Sequence, residues 1–179
     1  MTSFTSPSLT LNVGDPGQAA DWNTYVRDNT TFLYSAPKVR VYNSANISVT
    51  SSTDTALTFD TERFDTDTMH STSTNTSRIT FTTAGTYLVG ANVEWASDST
   101  SYRELTLRLN GSTKIGSSVV QPSSSVVTRQ TVTTVYAFQI VSSVADYVEA
   151  VVRHVKGSAL NVVAAGNYSP EFYAIWMSS

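Results

Sequence analysis

The hydrophobic pattern changes character at Lys38. Before it, Ala19, Trp22, Val26, Asn29 and Leu33 step by three, four, three and four residues, the spacing of one helix face. Asp15, Pro16 and Gln18 form a start signal ahead of that stripe. An Asp cap accepts a free backbone N–H, a first-turn Pro lacks a donor that would be unpaired anyway, and a Gln at the third position reaches back. The spacing predicts one helix over 15–33, closed by Pro37. Its stripe packs either on the domain's own sheet or on identical helices. Asn29 favours the second, because a lone polar seam residue fixes register at some cost in stability.

From Lys38 onward, short β-branched and aromatic runs are separated by Gly, Asn, Asp and Ser clusters at intervals of roughly 8–12 residues, the rhythm of an antiparallel sandwich. Strands are expected at 38–42, 46–50, 55–59, 78–82, 85–96, 102–109, 113–120, 126–141, 146–155, 159–165 and 171–177. Asn110-Gly111 is the clearest hairpin turn, since both central residues of the tightest turn need positive φ. The acidic stretch Asp60–Asp67 reads as a solvated loop with Arg63 partly neutralising it.

Two strands are apolar on both faces, although a sandwich strand normally alternates core with water. Between Thr131 and Ile140, Val132, Tyr136, Phe138 and Ile140 share one face while Val135 and Ala137 share the other. In 172–177, Phe172, Ala174 and Trp176 oppose Tyr173, Ile175 and Met177. A sheet dry on its outer side requires a second subunit against it. Tyr136, Phe138, Tyr173, Ile175 and Trp176 are therefore the candidate subunit-interface residues of an oligomer, and Trp22, Val26, Asn29 and Leu33 the candidate docking residues of an N-terminal arm over 1–36, ahead of a head over 37–179.

Composition narrows the function. Charged residues are 14% of the chain and the formal net charge is −3, while Ser and Thr supply about 30%. That balance excludes a polycationic wrapper for nucleic acid and a disordered polyelectrolyte. With no Cys, thiolate catalysis, zinc knuckles and disulfides are excluded. The Met1–Pro7 opening has neither a basic start nor an apolar stretch of secretory length, and no run approaches ~18 apolar residues, so the chain is expected to fold in a cytosol without a membrane partner.

Catalysis needs a nucleophile, a base and an orienting group within reach. The available bases are His70, in a Ser/Thr-rich loop, and His154, which reads as a satisfied sheet histidine; no Gly-x-Ser-x-Gly elbow is present. Asp65 and Asp67 with nearby carbonyls supply about half of the 6–8 oxygens that calcium takes, so no metal ligand is assigned and no cofactor is expected. Tyr102, Tyr168 and Trp95 are candidates for glycan or receptor binding, each better explained by core or rim packing.

Phe64-Asp65, Met69-His70, Arg78-Ile79-Thr80-Phe81, Gly85-Thr86-Tyr87-Leu88-Val89, Leu109-Asn110-Gly111, Asp146-Tyr147-Val148-Glu149 and Phe172-Tyr173-Ala174, in that order, resemble the globular head of complement's collagenous recognition subunit and its tumour-necrosis-factor-like relatives. The resemblance covers about 38–177 and implies an all-β, ten-stranded jelly roll that assembles as a trimer. Ala84, Ala145 and Ala174 depart from the family's usual Pro, Gly and Gly, and no Gly-X-Y repeat precedes the head, so complement function is not implied. The segment Val13–Asn23 is similar to one that recurs near the start of small virion proteins of tailed bacteriophages. Together these imply a non-enzymatic virion protein: a homotrimeric capsid decoration protein or short head fibre, assembled in the host cytoplasm. Its partners would be its own copies and the major capsid protein or another virion protein. The alternative is a host-receptor-binding module of a tail fibre or baseplate. A helix over Pro16–Leu33 spans only about 27 Å, which suits direct docking better than a shaft.

Overall fold

Each run read as a strand carries one in the computed structural model, which describes residues 16–122 and 131–179. The strands are β1 (Lys38–Tyr42), β2 (Ile47–Val49), β3 (Thr55–Ala56), β4 (Thr61–Asp65), β5 (Arg78–Thr80) and β6 (Gly85–Trp95), followed by β7 (Arg103–Leu109), β8 (Thr113–Val120), β9 (Thr131–Val141), β10 (Tyr147–His154), β11 (Leu160–Val163) and β12 (Glu171–Ser178). All pairings are antiparallel and form a seven-stranded and a five-stranded sheet. In the first, β9 pairs along the whole of one edge of β6, while β12 and β11 lie end to end along the other; β12 leads on to β1 and β4, and β11 to β2. In the second, β3 and β5 share one edge of β10, whose other edge carries β7 and then β8. End-to-end placement of short strands is why the described residues carry twelve strands where the resemblance implied ten.

The structure corrects the loop over Asp60–Asp67: its middle is the edge strand β4, paired with β1. Charged side chains on an edge strand discourage pairing with other chains, and they masked its alternation. Arg63 turns to Glu171 rather than to its acidic neighbours. The carboxylates there already hold donors: Asp65 accepts the backbone N–H of Asp67 and of His70, and Asp67 accepts the hydroxyls of Thr82 and Thr83. The expected strand over 126–141 is described from Thr131, and 126–130 lie outside the described residues. At the expected hairpin, Asn110 and Gly111 have φ of 50° and 75°.

The helical segment also differs from expectation. It comprises α1 (Ala19–Asp21), a π-helical stretch (Trp22–Asp28) and α2 (Asn29–Tyr34). It starts at Ala19, with Gln18 at the cap making no side-chain bond; Pro16 precedes it and Asp15 lies outside the described residues. The wide i→i+5 turns rotate later positions off a 3.6-residue repeat. Asn29 therefore faces inward instead of joining a seam, and is buried with its Nδ2 donating to the Tyr25 carbonyl. Phe32, absent from the expected stripe, is buried in the sandwich core, its ring 4.9 Å from that of Trp176 and nearly perpendicular to it.

Trp176 is the second correction. It points into the sandwich with Phe172 and Ala174, donates its indole N–H to the Ala84 carbonyl, and is 8% exposed, so it packs the core rather than the outer face. Its ring lies over Gly85, where an added Cβ would approach Nε1 to 2.3 Å at a φ of +143°. The other end of β6 carries a buried polar cluster. Arg103 is fully buried, donates to the carbonyls of Thr100, Tyr102 and Asp98, and meets the Asp98 carboxylate at 3.3 Å. Lys156 reaches the same carboxylate at 2.9 Å. Burial raises the Asp98 carboxyl, and hydrogen bonds from Thr100 and Lys156 outweigh it, holding the group well below its ordinary range.

Two outcomes are expected. Phe32→Ala opens a cavity against Trp176 and lowers stability by roughly 3–5 kcal/mol in urea denaturation. Asp98→Asn strips the buried Arg103 of its counter-charge and costs about 3 kcal/mol at pH 7. A carboxylate held below its ordinary 3.8 stabilises the fold above that pH, so the gap between wild type and variant narrows as pH falls below it in denaturation series.

Candidate functional site

Strand alternation sends half the side chains of the seven-stranded sheet away from the core. On β9 these are Val132, Thr134, Tyr136, Phe138 and Ile140, every one exposed, while Thr133, Val135 and Val141 are buried. Tyr136, Phe138 and Ile140 are 68%, 66% and 74% exposed, which is high for three large apolar residues in one row. On β12, Tyr173, Ile175 and Met177 point the same way. Register joins the two strands through β6: Tyr136 and Tyr173 both pair with Gly90, and Phe138 and Ile175 both pair with Leu88. Four of the five residues expected at an interface thus share one surface; Trp176 stands behind it.

Gly90 shapes that surface. A Cβ there would lie 2.2 Å from the Tyr173 hydroxyl oxygen, so the missing side chain lets the Tyr173 ring cross the sheet. Beside it runs an open groove of about 510 Å³ lined by Arg40, Phe64, Leu88, Asn92, Tyr168, Glu171, Tyr173 and Ile175. Phe64 was hidden from the sequence reading because β4 was. Leu88 and Gly90 lie on a strand that was found, but only the pairing register shows that they sit between the two aromatic rows.

One end of the face is polar and fully paired. Glu171, 3% exposed, accepts Arg40 Nε at 2.8 Å and Arg63 Nε at 2.6 Å. The same guanidinium groups donate to the carbonyls of Asn167 and Gly166, fastening that loop to the sheet. Asn92 donates to the Tyr168 carbonyl at 2.7 Å, and the Tyr168 hydroxyl donates to Glu94, which pushes the phenol up from its ordinary value. An apolar centre with a hydrogen-bonded polar margin is how protein–protein interfaces are built.

The remaining candidates are placed elsewhere. Trp95 is fully buried, Tyr102 is half-buried and its carbonyl holds Arg103, and Tyr168 sits exposed at the groove's rim. His154 is fully buried: Nε2–H donates to the Val49 carbonyl at 3.0 Å and Nδ1 accepts the Lys156 N–H, so both nitrogens are committed. His70 lies between the Glu62 carboxylate and the Thr76 carbonyl. Among the described residues no group of three or more His, Cys, Asp or Glu is placed to hold a metal ion. On the helix, Trp22, Val26 and Leu33 are exposed and Asn29 is not.

Glu171→Gln leaves two arginines facing a neutral amide. Because both reach solvent, the expected loss is roughly 2–3 kcal/mol, below that of a fully enclosed pair, measured by chemical denaturation.

No protein-family model matches the sequence, and no curated protein matches it. Solved structures do. Murine APRIL at pH 5.0 aligns with a TM-score of 0.59 at 10% identity, over 79% of this chain and 98% of that one. Eiger TNF from S. frugiperda aligns with a TM-score of 0.59 at 12% identity, over 80% and 94%. At such identities the likeness shows the fold: a tumour-necrosis-factor-like jelly-roll sandwich, here with an N-terminal helix.

Proposed function

We propose that the protein is a non-catalytic structural protein of a tailed-bacteriophage particle: a homotrimeric capsid decoration protein or short head fibre, displayed on the virion surface. The observation that carries the assembly is the outer face of the seven-stranded sheet. Tyr136, Phe138, Ile140, Ile175 and Met177 lie on one side of it, all exposed. Monomeric soluble proteins rarely leave so continuous an apolar patch open to water. Closed symmetry covers it with copies of the same chain and needs no second gene product.

The virion setting rests on the resemblance of Val13–Asn23 to phage proteins, and on how the helix sits. Phe32 is buried in the head's core with its ring on Trp176, so the C-terminal turn of the described helix is fastened to the head. That arrangement suits a head mounted directly on a lattice. Three arms that engage the shell together gain avidity, so weak single contacts suffice.

Light scattering at micromolar concentration is expected to give the mass of three chains, and a monomer mass overturns the reading. Phe138→Asp, at an exposed position, is expected to leave the circular-dichroism spectrum unchanged while reducing the mass to one chain. Quantitative mass spectrometry of purified particles is expected to count on the order of a hundred copies, as repeated lattice positions require; roughly three to eighteen copies would move the protein to a tail fibre or baseplate and to receptor binding.

A further inference from the structure

Asn110-Gly111 is the one Asn-Gly pair in the chain, and it makes the turn between β7 and β8 at φ of 50° and 75°, a conformation these residues enter at little cost. The turn does not stand free. The Asn110 backbone N–H donates to the Tyr147 carbonyl at 2.8 Å. Its side chain is held at both ends: Nδ2 donates to Asp146 Oδ1 at 2.9 Å, and Oδ1 accepts the Tyr147 N–H at 3.0 Å. The orientation of the carboxamide follows from these partners, because an ionised carboxylate only accepts and a backbone N–H only donates. Asp146 is itself fixed, its carbonyl accepting the Phe81 N–H at 2.8 Å. One exposed asparagine thus clips the β7–β8 hairpin to the turn that enters β10.

Asn before Gly is also the pair in which side chain and backbone react most readily, since no Cβ on Gly111 shields its nitrogen. That nitrogen gives up its proton and attacks Asn110 Cγ. A C–N bond forms, the Cγ–Nδ2 bond breaks, and Nδ2 leaves as ammonia with the proton released. Water then opens the succinimide at either carbonyl, leaving aspartate or isoaspartate at position 110. The clip opposes the first step, because Cγ cannot turn onto the Gly111 nitrogen while both of its polar atoms are bonded to the neighbouring turn. After the reaction the clip cannot re-form. The product has no side-chain N–H to give Asp146 and sets a second carboxylate against it, with Glu149 close by: a Cβ on Gly111 would lie 3.6 Å from Glu149 Oε2.

We propose that Asn110 is a site of spontaneous, irreversible modification, converted through a succinimide with Gly111 when its contacts with Asp146 and Tyr147 open, and that conversion releases the β7–β8 hairpin from the turn before β10. The change adds one negative charge to a part of the surface that already carries Asp146 and Glu149.

The test keeps the full-length protein in mildly alkaline buffer, native and in urea, and follows the exchange of amide for acid by peptide mass mapping. Asn43, which precedes Ser44, serves as the reference. In urea Asn110 is expected to convert ahead of Asn43, and in the native protein its conversion is expected to slow. Asp146→Ala, shown to be folded by circular dichroism, is expected to convert Asn110 roughly 10-fold faster than native wild type, the worth of one hydrogen bond to a charged group, with Asn43 unchanged. Asn110→Asp, which is the product made directly, is expected to speed hydrogen exchange of the backbone N–H groups of residues 110 and 147 several-fold. No conversion of Asn110 in urea overturns the site. Equal rates at Asn110 in native and unfolded wild type overturn the clip whether or not the Asp146 variant folds, and so does a folded Asp146→Ala that converts at the wild-type rate. Unchanged hydrogen exchange in Asn110→Asp overturns the release of the hairpin.

Discussion

A β-sheet that is apolar on both sides is stabilised most when both are covered, and here the sandwich core covers one while the other stands exposed. The inner side of β9 and β12 is fixed by the sandwich core, where Val135, Phe172, Ala174 and Trp176 meet the second sheet. The outer side is laid out by register: β6 runs between β9 and β12, and the missing side chain of Gly90 lets the Tyr173 ring of β12 lie across it. Changing that pairing by one residue would exchange the two sets of side chains. The positions of Tyr136 and Phe138 are therefore tied to the long, uninterrupted pairing of β6 with β9, and that of Tyr173 to the pairing of β6 with β12.

The two ends of β6 are secured differently. At Gly85 the closure is apolar, with Trp176 under the glycine and Phe32 of the helix on Trp176. At Trp95 it is ionic, with Arg103 buried beside the Trp95 ring and balanced by Asp98 and Lys156. The apolar end accepts an added element because an aromatic surface is non-directional, and that is the end where the helix docks. The ionic end has its polar geometry fixed and leaves no such surface. The arm is thus joined to the head at its C-terminal part, and the expected boundary at residue 36 cuts through a shared core contact.

Legibility in the sequence followed burial. Strands whose alternation is written in Val, Ile, Leu and aromatic residues, such as β1, β6 and β10, lie within a residue or so of their expected ends. β4 was hidden because an edge strand that must resist pairing is charged, and charge reads as loop. Trp176 was assigned to the outer surface because a strand apolar on both sides gives no sign of which side is inward; the parity is set by Trp176 fitting over Gly85, 91 residues away by number. Asn29 misled for a related reason. The seam argument assumes a uniform repeat, and one stretch of wider turns is enough to move a residue from one side of a helix to the other.

In the proposed assembly the apolar sheet face couples folding to association. An exposed row of large apolar side chains gains little in an isolated chain, since it is in water before and after folding; burial against a neighbour is where it contributes, at roughly 25 cal/mol per Å² removed from water. Stability of the proposed assembly accordingly rises with protomer concentration, as for any native state that binds a partner the unfolded state does not. The polar margin around Glu171 does not weaken this coupling. Its charges are paired within one subunit, so meeting a neighbour requires no ion to be stripped of its partner. A surface of this kind, in the proposed assembly, would meet a neighbour through its apolar centre and take its orientation from a fixed, already satisfied rim.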